Sequence, residues 1–99
     1  MAKISAQQIV DDIEKYVGSG GHPGWYAGIA KDPRDCLFSR HGVDEQNGSW
    51  IYRTAISVSG ARAAESALHA DGFDGGPGGG DESTNAVYAY KKTGTTSED

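Results

Sequence analysis

Trp25-Tyr26-Ala27-Gly28-Ile29-Ala30, followed by Lys31-Asp32-Pro33-Arg34-Asp35-Cys36-Leu37-Phe38-Ser39-Arg40-His41, decides how this chain is read. The first six residues are a short aromatic and apolar run of the kind that forms a strand. Asp32-Pro33 reads as a helix start. An Asp side chain accepts from an orphan backbone N–H, and Pro suits the first helical position. A helix over about 33–41 follows, with Leu37, Phe38 and His41 roughly on one side. Gly42 suits the left-handed residue that closes it. A strand that turns directly into a helix brings Tyr26, Arg34, Arg40 and His41 near one another.

Upstream, residues 4–17 read as an amphipathic helix with Ile9, Ile13, Tyr16 and Val17 on one face. Ser5 caps it, Gln8 completes a capping box, and Ile4 and Ile9 form a hydrophobic staple. Gly18 stops the helix, and Ser19 to Gly24, with His22, connects it to the first strand. Downstream, Asn47-Gly48 marks a turn. Residues 49–57 are the strongest strand signal in the chain. Alternation sends Ile51, Arg53 and Ala55 to one face, and Trp50, Tyr52, Thr54 and Ile56 to the other. Ser59 then caps a helix over about 60–70, where Ala61, Ala64, Ala67 and Leu68 form a face that can approach a sheet closely. A Gly-rich loop leads to a last strand over 85–91.

The order α-β-α-β-α-β predicts a small α+β domain over residues 1–92, a three-stranded mixed sheet with helices packed on it. Residues 93–99 form a flexible acidic tail. A length of 99 residues allows one modest core. The formal net charge of -5 argues against strong non-specific binding to nucleic acid, although Lys31, Arg34 and Arg40 cluster around the second helix. Cys36 is the single cysteine, so no intrachain disulfide forms, and a cytoplasmic location is expected. Its place beside Leu37 reads as a semi-buried, inert thiol. No apolar run is long enough to span a bilayer, so no membrane partner is expected.

Two constellations carry chemistry. In the Gly-rich loop, Gly75, Gly76, Gly78, Gly79 and Gly80 stand between Asp74 and Asp81, followed by Tyr88 and Tyr90. Successive backbone N–H groups in such a loop can form an anion nest, and a plain flexible connector fits equally well. The other gathers Tyr26, a basic residue of the second helix, His41, Arg53 and Glu65. Arg53 lies on the less apolar face of its strand, and Glu65 lies one turn from Ala61 and Leu68.

The order Tyr26-Ala27-Gly28, Asp32, helix basics, His41 and then Ala61-x-x-x-Glu65 resembles the GIY-YIG nuclease domain over residues 25–72. The resemblance implies that Tyr26 assists an attacking water, that a helix arginine (Arg34 or Arg40) stabilises phosphate charge, and that Glu65 holds Mg2+. His41 matches the family's His/Lys/Tyr position. Two departures stand out. No Gly-Ile-Tyr strand precedes Tyr26, and the family's arginine would fall near Asp35 or Cys36, neither of which is basic. The expectation is therefore a degenerate nuclease that binds nucleic acid or a nucleotide through Tyr26, Arg34, Arg40, His41 and Arg53, with weak or no cleavage. The alternative is a non-enzymatic, phage-type inhibitor or sequestering protein that occupies a nucleotide or the basic surface of a protein partner, since a small acidic domain complements such a surface.

Overall fold

The computed structural model describes residues 3–18, 24–75, 85–94 and 96. The elements run β1 (Lys3–Ile4), α1 (Ala6–Val17), β2 (Trp25–Ala30), α2 (Pro33–Asp35) continuing into a π-helical turn (Cys36–Arg40), β3 (Trp50–Ala55), α3 (Val58–Ala70) and β4 (Ala86–Lys91). The result is a small α+β domain around one mixed sheet. The sheet has four strands, in the order β1-β3-β4-β2, and not three. The extra strand is β1, where Lys3 pairs with Thr54 and Ile4 with Ala55 in parallel. Two residues are too few for an alternation signal, and Ile4 also fits the pattern of the helix that follows. Ile4 still packs against the core cluster that contains Ile9.

Local chemistry explains the helix ends. Ser5 caps α1 by accepting the Gln8 N–H at 3.2 Å, but the Gln8 amide donates to Asp12 at 2.6 Å and leaves the capping box incomplete. Asp32 caps α2 by accepting the Asp35 N–H at 3.1 Å, with Pro33 in the first helical position. The last turn then widens. His41 N–H donates to Cys36 O at 2.9 Å, an i to i+5 bond, and Gly42 turns the chain away at φ 69°. Helix α3 starts earlier than its sequence implies. Ser57, rather than Ser59, accepts the Gly60 N–H at 3.1 Å, and β3 correspondingly ends at Ala55.

Strands β2 and β3 both pair antiparallel to β4, which lies between them. Each face of the sheet is covered. On one face, Ile9 and Ile13 of α1 and Ala61, Ala64 and Leu68 of α3 pack against Ala27, Ile51, Ala55, Val87 and Ala89. The alanine stripe lets α3 sit close, as its spacing predicted. On the other face, Leu37 and Val43 pack over Tyr88 and Tyr90, joined by Tyr26, Phe38, Trp50 and Tyr52.

The outer edge of β2 is closed by the start of the Gly-rich loop. Ala27 N–H donates to Asp74 O at 2.9 Å, and Asp74 N–H donates to Trp25 O at 2.8 Å. A Lys92–Asp74 ion pair at 3.0 Å holds this segment in place. Pairing and charge at an edge of this kind discourage addition of a foreign strand.

Gly28 faces Tyr88 directly across the β2–β4 pair. A Cβ on Gly28 would stand 2.7 Å from the Tyr88 hydroxyl oxygen. That hydroxyl is buried and bonded, so it has nowhere to go. Gly28→Ala is expected to lower stability by about 1–3 kcal/mol in urea unfolding, the usual range for overpacking. An unchanged midpoint would show that the ring can move aside.

Candidate functional site

The residues of the aromatic face fall into rows set by strand register. Tyr26, Tyr90 and Trp50 stand side by side in the first row. Gly28, Tyr88 and Tyr52 form the second, and Ala30, Ala86 and Thr54 the third. Ring content thus falls from one end of the sheet to the other, and the third row is a floor of small side chains.

His41 sits over the first two rows. Its Nε2 lies 2.8 Å from the Tyr88 hydroxyl and its Nδ1 3.2 Å from the Tyr90 hydroxyl. The ring centroids of Tyr26 and His41 are 4.9 Å apart, and Tyr26 stacks on Tyr90 at 5.3 Å. Burial, helped by the neighbouring Tyr26, pushes the Tyr88 phenol well above its ordinary pKa, so it stays protonated. His41, Tyr88 and Tyr90 are all at most 5% exposed. Tyr88 and Tyr90 are thus shielded from solvent. Tyr26, half-buried, is the member of this cluster with a solvent side.

Beyond the second row lies an open cleft of about 530 Å3. Lys31, Asp32, Pro33, Arg34, Tyr52, Thr54, Asn85 and Ala86 line it. Its floor belongs to the small third row, and its cations come from the β2–α2 junction. The Arg34 side chain reaches over Phe38 at 5.1 Å and Trp50 at 5.8 Å from the ring centroids. It forms an exposed ion pair with Glu45. Glu45 first, and then a hydrogen bond to the Tyr52 side chain, hold the guanidinium firmly charged. The Asp32 carboxylate is engaged in capping α2.

The structure brings together part of the set expected from sequence and separates the rest. Tyr26, His41 and Arg34 share the aromatic face, and Arg40 is exposed beside Cys36, electrostatically coupled to Tyr88. Arg53 lies on the opposite, helix-covered face. Its Nε donates to Asp12 of α1 at 3.1 Å and its guanidinium also donates to Tyr52 O at 2.8 Å. Glu65 belongs to α3 on that same helix-covered face. Arg53 does not meet Tyr26 in one pocket, because strand alternation sends it to the other side of the sheet, where α3 carries Glu65. Gly75 sits at the β2 edge, close against His69, away from the buried Tyr88 and Tyr90. The remaining loop positions Gly76, Gly78, Gly79, Gly80 and Asp81, the connector residue His22 and most of the acidic tail lie outside the described residues. The Cys36 thiol is half-buried and pushed up by burial, in line with an inert role.

The resemblance assigns Mg2+ to Glu65. The ion keeps several waters and takes one or two carboxylates. Glu65 is 7% exposed, and the charged groups acting on it are the side chains of His69 and Arg62. Among the described residues no group of three or more His, Cys, Asp or Glu side chains is placed to hold a metal. No helix among them is long and apolar enough to cross a membrane.

Sequence reasoning placed Lys31 and Arg34 near each other but missed Tyr52, Thr54 and Asn85 as their companions. The available signal was alternation, which put Tyr52 and Thr54 on one face. What was lacking was the pairing that makes this the face of Tyr26.

Burial holds the Glu65 carboxyl above its ordinary range, with His69 and Arg62 opposing. The folded state then binds this proton more tightly than the unfolded chain does. Stability from this group is fullest below the unfolded value near 4.5 and is lost as pH rises through the raised folded value. Glu65→Gln is expected to melt above the parent at neutral pH, with the difference vanishing toward about pH 4 in thermal unfolding. A variant that melts lower at neutral pH would contradict this assignment. No family model matches this chain, and neither a curated protein nor a solved structure matches it.

Proposed function

We propose that this chain is a GIY-YIG-like domain that binds the phosphates of a nucleotide or nucleic acid, with metal-dependent cleavage weakened or lost. The observation that carries the reading is the cleft at the β2–α2 junction, where Lys31 and Arg34 face the polar side chains of Tyr52, Thr54 and Asn85. Arginine meets a phosphate through two parallel N–H donors, and lysine adds a compact charge. The Arg34–Glu45 pair is half exposed on both sides, so an incoming phosphate displaces Glu45 at little cost. Tyr26, Gly28 and His41 lie on the same face, which agrees with a nuclease-like ancestry. The position of Glu65 on α3, on the other face from this cleft, favours binding over cleavage. The net charge of -5 repels long polyanions, so the reading favours a small ligand or a short strand.

Titration with inorganic pyrophosphate, followed by amide shifts in NMR, tests the reading. At about 20 mM salt the Lys31, Arg34 and Asn85 signals should move, and added salt should reverse this. Lys31→Ala and Arg34→Ala should each weaken binding by about five- to tenfold, the worth of one charge-assisted contact. Absence of shifts at these positions at millimolar pyrophosphate would refute the proposal. Incubation of the protein with labelled DNA and Mg2+ should leave the strands intact or cut them only slowly.

A further inference from the structure

The aromatic face carries more information than its charge. Trp50 and Tyr52 stand two residues apart on one face of β3, with ring centroids 6.3 Å apart and planes within 8°. They are two members of a stack that runs along the strand. The next position in that direction is Thr54, and its neighbour across the sheet is Ala86, then Ala30. None of these carries a ring. The space that a third stacked ring would fill is the cleft, which Tyr52, Thr54 and Ala86 line together. Tyr52 is the ring of this pair that lines the cleft.

We infer that the cleft takes a nucleoside phosphate, with its planar base lying on Tyr52 as the third member of the Trp50–Tyr52 stack and its phosphate held by Lys31 and Arg34. This rests on the phosphate reading above and adds the base to it. A base offers a flat π-face to an aromatic side chain whatever its sequence. The Asn85 amide supplies both donors and an acceptor for the edge of a base, and the Thr54 hydroxyl lies in the floor beneath it. Arg34 and Tyr52 both line the cleft, so the cation and the ring are neighbours there. A volume of about 530 Å3 suits one nucleotide and is too small for a duplex. The base and phosphate chemistry is common to a free nucleotide and to one unit of a single strand.

Calorimetric titration of the whole chain with AMP, ribose 5-phosphate and pyrophosphate tests the inference. AMP should bind at least about tenfold tighter than ribose 5-phosphate, because only AMP can stack. Tyr52→Leu should erase that advantage, so that AMP and ribose 5-phosphate bind alike, and Tyr52→Phe should retain it. A measurement on the unaltered protein guards against misfolding of the leucine variant. The adenine protons of bound AMP should shift upfield and show NOEs to the Tyr52 ring. Equal affinity for AMP and ribose 5-phosphate, or adenine NOEs that avoid Tyr52, would overturn the inference and leave the phosphate reading standing. Failure of all three probes to bind would overturn both. A five-nucleotide single strand that outcompetes AMP by about tenfold identifies a strand as the source, and equal affinity identifies the free nucleotide.

Discussion

The structure depends on a single close approach, the Tyr88 ring lying across Gly28. Only a residue without a side chain leaves room for it. From that position the Tyr88 hydroxyl meets His41, which closes the helical segment, while Tyr90 reaches the other ring nitrogen. Two buried hydrogen bonds thus tie the middle strand to the end of the π-helical turn. Each is worth about 1 kcal/mol net, but either partner left alone in the core would cost more. The position of the segment from Pro33 to His41, and hence of Lys31 and Arg34, follows from this anchor.

The two faces of the sheet do different work. The face under α1 and α3 is aliphatic and lined with alanine, and it supplies a close-packed core. The face under the π-helical turn is aromatic, and its covering segment is short. Beside that segment lies the cleft, which Thr54 and Ala86 of the third row line. Arg53 and Glu65, whose chemistry drew attention in the sequence, are consumed by the first face. Arg53 fastens β3 to α1 through Asp12.

Much of the architecture could be read from particular residues. The pattern of Trp50 to Ala55, the Asp32-Pro33 start, the Gly42 close and the alanine stripe of α3 all have direct local causes. Three features had none. The strand Lys3–Ile4 exists only because β3 offers it a parallel partner. The widened turn at Cys36–Arg40 follows from His41 being drawn toward Tyr88 and Tyr90, a tertiary constraint invisible in helix propensity. The pairing of β4 between β2 and β3 is non-local, and it decides that Tyr26 and Tyr52 share a face and that Arg53 lies on the other. Spacing along the chain could list polar residues for a site, but only pairing could divide them.

The middle place of β4 bears on how the molecule comes into being. Strands β2 and β3 never touch each other directly in the ladder, and each waits for residues 86–91 to serve as its partner. During synthesis the earlier elements leave the ribosome with open hydrogen-bonding edges and a bare aromatic surface. Closure of long loops must precede the reward of pairing, which makes such a topology slow to assemble. Until residues 86–91 join them, β2 and β3 keep an unpaired edge that invites association with other chains.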